Sequence, residues 1–268
     1  IWWSRGIGGR SALDYLIKVK GYSFLEAVET IIGHTAIQAP VYEKPQLKEE
    51  NKPLLLPEKC ASNRVITEYL FGRGIDFEII NYCISNDLIF ESLPYHNVVF
   101  VGYDEMKEPQ YAAYRSTNKR RIMGDCSGSK KEYSFRLGKE NLEEVHLFEC
   151  AIDLLSYATL AKLNGQDWKE MSFVSLSGVY SPAKKIEDSK VPIALEKYLG
   201  SNPSVRKIRI HFDNDIAGRK AAQTLKIILP DKYEIVDEPP KAGKDFNDFL
   251  CMQMGIYNKK THERNEER

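Results

Sequence analysis

From Val145 onward, short apolar blocks alternate with longer amphipathic stretches. Val145-His-Leu-Phe-Glu149, Ser172-Phe-Val-Ser-Leu-Ser-Gly178, Lys207-Ile-Arg-Ile-His-Phe-Asp213 and Tyr233-Glu-Ile-Val-Asp-Glu238 have strand length and strand composition, and Ile208, Ile210 and Phe212 alternate along the third. Helical patterns follow Glu149, Ser189, Asp215 and Asp245. The first runs from Cys150 to Lys162, with Ala151, Leu154, Leu155, Ala158 and Leu160 as its apolar positions. Strand and helix in strict alternation predict a parallel sheet joined by right-handed crossovers.

Upstream the pattern changes. Residues from Arg64 predict two short helices around Gly72-Arg73-Gly74, then a hairpin of two strands, His96 to Asp104 and Pro109 to Thr117, closed by the polar loop Glu105 to Pro109. Near the start, Leu13, Leu16 and Ile17 mark one helix, and Ser23 with Glu26 has the spacing of a capping box for a second. Between these parts, residues 36–59 hold Pro40, Pro45, Pro53 and Pro57 among Glu, Lys and Gln and predict a linker. The expected organisation is a helical segment at 1–35, the linker at 36–59, a small α+β domain at 60–140, an α/β domain at 141–255 and a polar tail at 256–268. Because the chain begins at Ile1 rather than Met, residues upstream of it are expected.

Composition narrows the function classes. The chain has 268 residues, 43% of them hydrophobic, which suffices for a sizeable core. Lysine plus arginine (38) balance aspartate plus glutamate (38), so no global field announces nucleic acid and charge has to be sought locally. Cys60, Cys83, Cys126, Cys150 and Cys251 form no closely spaced pair, which predicts reduced thiols in a cytoplasmic protein. No apolar run approaches the roughly 18 residues needed to span a bilayer.

The chemistry gathers where the strands end. Asp213 and Asp215 sit at the carboxyl end of one strand pattern, Glu149 at the end of another, and Asp245 and Asp248 just past a third. In a parallel sheet those ends share one edge, where ligands bind. Oxygen ligands in that arrangement suit Mg²⁺ or Mn²⁺, which share coordination with substrate phosphates. Each acid also has a bland explanation. Asp215 has the position of an N-cap for the helix after it, and Glu149 the position of a carboxylate favoured by a helix N-terminus. That explanation would have to apply three separate times. Asp153, one turn into its helix, reads as a helix-surface or supporting residue, and His211 as a packing group.

Glu149 in FECAIDLLS, Asp213 and Asp215 in FDNDIAGRKAA, and Asp245, Asn247 and Asp248 in KDFNDFL together resemble the Toprim domain shared by primases, topoisomerases and some nucleases. The match is nearest to the bacterial primase branch, with Cys150 where that branch usually has glycine. The resemblance implies a Rossmann-like parallel sheet with flanking helices. It implies Glu149, Asp213 and Asp215 as catalytic residues, and those three with Asp245 and Asp248 as ligands of Mg²⁺ or Mn²⁺. The YLFGRGI segment followed by a hairpin resembles the part that precedes Toprim in primase cores and in mobile-element proteins. Residues 1–35 resemble the carboxyl half of the primase zinc-binding module, but Trp2, Trp3 and Ser4 offer no ligand, so no zinc is expected.

Local basic charge appears between Arg115 and Lys139, with Tyr114, Tyr133 and Phe135 interleaved. Cationic side chains beside aromatic rings suit single-stranded nucleic acid. Arg115, Lys119, Arg120, Arg121, Lys130 and Lys131 are the expected nucleic-acid or triphosphate contacts, against the alternative of a solvated hairpin. In the primase-like pattern, Ser177 and Gly178 lie beside phosphate oxygens. The expected function is a primase-like nucleotidyltransferase acting on single-stranded DNA with nucleoside triphosphates, in replication or transfer of a mobile element, with a helicase or relaxase of that element as partner. A Toprim nuclease and a non-catalytic nucleic-acid-binding module are the alternatives.

Overall fold

The computed structural model describes residues 12–32, 52–118, 122–178, 180, 182–183 and 186–256. The glycine turn at 6–9, most of the expected linker, the tail from 257, and Lys119, Arg120 and Arg121 lie outside the described residues. Contacts divide the chain into two units, Ile1–Glu50 and Asn51–Arg268, with the division inside the stretch expected to be a linker.

In the first unit, helices α1 (Ala12–Lys18) and α2 (Phe24–Ile32) form where the apolar spacing predicts them. The capping box is present. Glu26 Nα–H donates to Ser23 Oγ at 3.3 Å, and Ser23 Nα–H donates to a Glu26 carboxylate oxygen at 2.8 Å, so two otherwise orphaned amides are satisfied reciprocally.

The second unit begins with α3 (Arg64–Phe71) and α4 (Phe77–Ser85), which pack on an antiparallel sheet of β1 (Ile89–Glu91), β2 (Val98–Tyr103), β3 (Pro109–Arg115) and β4 (Met123–Asp125), in that order. The hairpin β2–β3 pairs Val98 with Arg115 and Phe100 with Ala113. Its inner strand is apolar on both faces because the helices cover one side and a smaller cluster with Val99, Val101 and Phe90 fills the other.

A second sheet follows, in the order β5 (Arg136–Gly138), β7 (Ser172–Ser175), β6 (Glu144–Phe148), β8 (Lys207–His211) and β9 (Glu234–Asp237). Strands β7, β6, β8 and β9 are mutually parallel, as the alternation predicts. Strand β5 was not expected. It runs antiparallel to β7 and lies within the range 60–140 assigned to the preceding domain. Helices α5 (Ala151–Leu163), α6 (Ile193–Ser201), α7 (Ile216–Ile228) and α8 (Phe246–Gln253) connect and flank the parallel strands.

The two sheets are not separate domains with private cores. Ile66, Leu70, Ile79 and Ile80 of α3 and α4 share one buried cluster with Ala151, Leu154 and Leu155 of α5, Trp168, and Phe246 and Leu250 of α8. Burying side chains of this size contributes roughly 1.5–3 kcal/mol each, which fixes α5 and α8 against the α3–α4 layer. A second cluster, including Leu147, Ile210, Phe212, Ala221 and Leu225, holds α6 and α7 on the other face of the sheet. The sheet is therefore covered on both sides, and the site forms at its carboxyl edge.

Candidate acidic metal centre

Each carboxylate of the site is placed by a local feature of the backbone. Strand β6 ends at Phe148, so Glu149 is the first residue beyond the ladder, and only 5% of it is exposed. Strand β8 ends at His211, and the chain passes through Asp213 before Asp215 caps α7. Asp213 Nα–H donates to Glu149 Oε1 at 3.1 Å, which joins the two strand ends directly. The strands that deliver these residues are register neighbours, Phe148 pairing with His211.

Gly218 permits this closeness. A Cβ at that position would stand 2.2 Å from the Asp213 carbonyl oxygen and 2.9 Å from Glu149 Oε1. Only a residue without a side chain lets the first turn of α7 lie against both acids.

Asp215 serves two purposes with its two oxygens. Its Oδ1 accepts from Gly218 Nα–H at 2.9 Å as the N-cap of α7, while Oδ2 lies 3.4 Å from the Lys244 ammonium. The capping and ligand readings therefore do not exclude one another. Asp245 behaves similarly at the start of α8, where Oδ1 accepts from Asp248 Nα–H at 2.7 Å. The loop before α8 is tied to the DxD segment by Asn214 Nα–H donating to the Lys244 carbonyl at 2.7 Å.

Burial and crowding set the electrostatics. Glu149 is pushed up to about 7, mainly because burial penalises its ionised form and then because the Asp213 charge is adjacent. Asp213 and Asp248 are also raised, burial being the main cause in both, with Asp245 adding its charge. Asp215 is lowered, chiefly by the Gly218 amide that it accepts. Lys244, 2.9 Å from Asp213 Oδ2, is the cation set directly between the two DxD acids. Its side chain is 57% exposed, so it can leave without disturbing the core. The donors are all carboxylate oxygens, and their number exceeds the positive charge among them. Oxygen donors alone suit a hard divalent ion such as Mg²⁺ or Mn²⁺, but no three of these carboxylates bring ligand atoms within 4.8 Å of one another, so an ion held by several of them requires their side chains to close in.

Behind this layer lies a second set of contacts, in which Asp153 takes the supporting one of the two positions expected for it. Asp153 is buried, not on the helix surface. Its Oδ1 accepts from Asn247 Nα–H at 3.2 Å and its Oδ2 from the Cys150 thiol at 2.9 Å. Burial and the charges of Asp245 and Asp213 raise Asp153 well above the ordinary carboxylate range. Asn247 Nδ2 donates to Ser156 Oγ at 3.0 Å and to the Arg73 carbonyl at 2.9 Å, so α5, α8 and the Gly72–Gly74 turn meet at one side chain. Arg73 leaves its Nε buried without a partner, and its charge opposes the upward shift of Asp248. An arginine between two glycines was the available signal. His211 is a packing residue, as expected. Its ring stacks on His146, burial holds it well below the ordinary histidine range, and its Nδ1 contacts the Glu238 carbonyl at 3.1 Å.

The basic residues divide. Arg115 ends β3, its Nε donating to Tyr69 Oη at 3.3 Å, and its charge reaches Cys150 beside Glu149. Lys131 lies 3.2 Å from Asp125 and donates to the Ser177 carbonyl at 3.5 Å, so it borders the β7 turn. Lys130 donates to Gln110 Oε1 at 3.1 Å instead. The amides expected beside phosphate are engaged within the protein. Ser177 Nα–H donates to Ser175 Oγ at 3.2 Å, and Gly178 Nα–H to the Glu149 carbonyl at 2.9 Å. The Ser177 hydroxyl is buried beside the Tyr111 hydroxyl, on a residue in the left-handed region at φ 60°.

Residues 146–250 match the family model described as Toprim-like, and residues 68–141 match a family described as a protein of unknown function, DUF3991. The expected zinc-module likeness of residues 1–35 falls outside both matches. No curated protein matches the chain in sequence. Among solved structures, the primase fragment of the bacteriophage T7 primase-helicase is 18% identical, with 69% of this chain and 68% of that one covered at a TM-score of 0.45. The E. coli primase catalytic core is 12% identical, covering 76% and 72% at a TM-score of 0.46. The Aquifex aeolicus primase, with its zinc-binding and RNA polymerase domains, is 15% identical, covering 93% and 68% at a TM-score of 0.44.

Proposed function

We propose that this chain is a primase-like, metal-dependent nucleotidyltransferase that acts on single-stranded DNA and takes part in replication or transfer of a mobile element. The observation that carries the reading is the direct contact of Glu149 with the DxD segment, at the edge where Asp245 and Lys244 also arrive. The Toprim-like match over residues 146–250 supports the same assignment.

Glu149, Asp213, Asp215, Asp245 and Asp248 would hold Mg²⁺ or Mn²⁺. A bound divalent ion supplies charge neutralisation for phosphate oxygens and for the leaving group. The protein side chains do the rest. Glu149 either shares the ion or, with its carboxyl pushed up to about 7 when no ion is bound, moves a proton near neutral pH as general acid or base. Lys244 and Arg73 present positive charge at the rim for phosphate. Arg115 and Lys131 extend that charge toward β4, with Tyr114 in the same strand layer for base stacking. The described part of the basic stretch is weaker than its composition suggests, because Lys130, Lys131 and Arg136 already have polar or acidic neighbours.

The test is incubation with single-stranded DNA, all nucleoside triphosphates and Mn²⁺, scoring extension and degradation together. Primer synthesis abolished by Glu149→Gln and by Asp213→Asn is the expected result. Metal-dependent nicking without added nucleotides would assign the same centre to phosphodiester cleavage. Salt-dependent DNA binding, indifferent to Mg²⁺ and to Asp213→Asn and with neither activity, would make the chain a binding module.

A further inference from the structure

Away from the acidic centre, the antiparallel sheet carries a cluster with different chemistry. Cys60, Glu91 and His96 each offer one ligand atom, and these atoms all lie within 4.8 Å of one another. A thiol, a carboxylate and an imidazole have been brought together from two stretches of chain, Cys60 from one and Glu91 with His96 from the other.

The backbone at this place is pinned from several directions. Cys60 Nα–H donates to the Glu91 carbonyl at 2.8 Å, and Lys59 bridges to Ser92. Leu93 Nα–H donates to the Glu58 carbonyl, and His96 Nα–H to the Ser92 carbonyl, both at 2.8 Å. His96 occupies the left-handed region at φ 52°, an uncommon conformation for a residue with a side chain, and Thr117 Oγ1 donates to its carbonyl at 3.0 Å. The turn that presents the imidazole is held in one shape on both sides.

Glu91 is only 1% exposed, and both of its oxygens are engaged. Oε2 accepts from Val65 and Ile66 Nα–H at 2.9 and 3.2 Å, in the first turn of α3, while Oε1 faces His96 Nδ1 at 2.5 Å. A helix cap with a histidine partner accounts for Glu91 and His96. It does not account for the sulfur beside them. Amide donors behind a carboxylate are also what fixes a metal-ligating oxygen in place.

We propose that Cys60, Glu91 and His96 form a site for a borderline divalent transition metal of the zinc class, distinct from the all-oxygen acidic centre. Sulfur and imidazole nitrogen select Zn²⁺ or Co²⁺ over Mg²⁺. Zinc takes sulfur at about 2.3 Å and nitrogen or oxygen at about 2.0–2.2 Å, so tetrahedral ligand atoms stand about 3.3–3.8 Å apart. The Glu91–His96 contact opens by about 1 Å to admit the ion, and the imidazole can make that movement because its side chain is 46% exposed. Binding releases the Cys60 thiol proton to solvent, and the neutral His96 carries its proton on Nε2 so that Nδ1 can ligate. Three protein ligands leave a fourth position for water. This site departs from the expectation that the chain holds no zinc, which rested on the ligands that Trp2, Trp3 and Ser4 lack.

The probe is Co²⁺ added to the full chain after chelator treatment and removal, read by thiolate-to-cobalt absorption in the near ultraviolet and by tetrahedral visible bands. One equivalent is expected to give the thiolate-to-cobalt bands, which Zn²⁺ abolishes and a large excess of Mg²⁺ leaves in place. Cys60→Ser and His96→Ala should each weaken Co²⁺ binding at least about 100-fold, while Asp213→Asn leaves it unchanged. Both cluster variants alter partly exposed side chains, and far-ultraviolet circular dichroism of the metal-free proteins verifies that they fold. Absence of the cobalt spectrum in the unaltered chain overturns the proposal, whatever the variants do. So does a spectrum that survives Cys60→Ser and His96→Ala, or one that vanishes with Asp213→Asn.

Discussion

Glu149→Gln should separate the electrostatic cost of the acidic centre from its chemistry. The substitution keeps the shape of the side chain, including an oxygen that can accept from Asp213 Nα–H, and removes the charge. In the folded chain Glu149 holds its proton up to about 7, whereas its ordinary value is 4.5. Between those two values the native state binds a proton that the unfolded state has released. Stability contributed by Glu149 is therefore complete below 4.5, falls as pH rises through that window and is lost above about 7. At about 1.4 kcal/mol per pH unit the whole span amounts to about 3 kcal/mol, and water reaching the rim beside Asp215 trims it to about 2. Metal-free Glu149→Gln should thus match the unaltered chain near pH 4.5 and exceed it by about 2 kcal/mol at pH 8. Urea unfolding in the presence of chelator at both pH values measures this. Added Mg²⁺ should reverse the order at pH 8, stabilising only the unaltered chain through binding to the folded state. A variant that is less stable at pH 8, or a difference that does not change with pH, would refute the placement of Glu149 in a crowded acidic pocket.

Three further substitutions test the surrounding structure. Gly218→Ala places a methyl group 2.2 Å from the Asp213 carbonyl oxygen, so unfolding measurements should show a loss of about 1–3 kcal/mol, with Mn²⁺ binding weakened as α7 is pushed from the edge. Asp153→Ala leaves the buried Asn247 amide without its acceptor and should cost about 1–3 kcal/mol, measured by the same unfolding. Lys244→Met removes the ammonium that an incoming ion must displace. An exposed pair of this kind is worth up to about 1 kcal/mol, so calorimetry should show up to about fivefold tighter Mg²⁺ binding, while affinity for triphosphate falls.

The parallel sheet was legible because each of its central strands is a short apolar run closed by an acid or a small residue, and each following helix has room for its own apolar face. Ser23 and Glu26 were legible for the same reason, since a capping box is a local event. Strand β5 was not. Arg136-Leu-Gly138 is three residues within a charged stretch, too short to show alternation, and exists because β7 offers it a partner from more than thirty residues away. The shared core of α3, α4, α5 and α8 was hidden likewise, because apolar faces on separate helices do not announce which neighbour they will meet. At the site, the strand-end acids were visible as a set, whereas Asp153 stayed open between a surface and a supporting position. Its role depends on Asn247, 94 positions away in the chain. In the basic stretch, the groups that engage Lys130 and Lys131, Gln110 and Asp125, were not visible as its neighbours.

Binding of Mn²⁺, followed by loss of the free-ion electron paramagnetic resonance signal, examines the acidic centre without requiring a substrate. The unaltered chain should take up Mn²⁺, with Mg²⁺ competing, and both Asp213→Asn and Glu149→Gln should lose that uptake while remaining folded. Equal uptake by all three proteins, or none by the unaltered chain, would contradict a metal site built by these carboxylates.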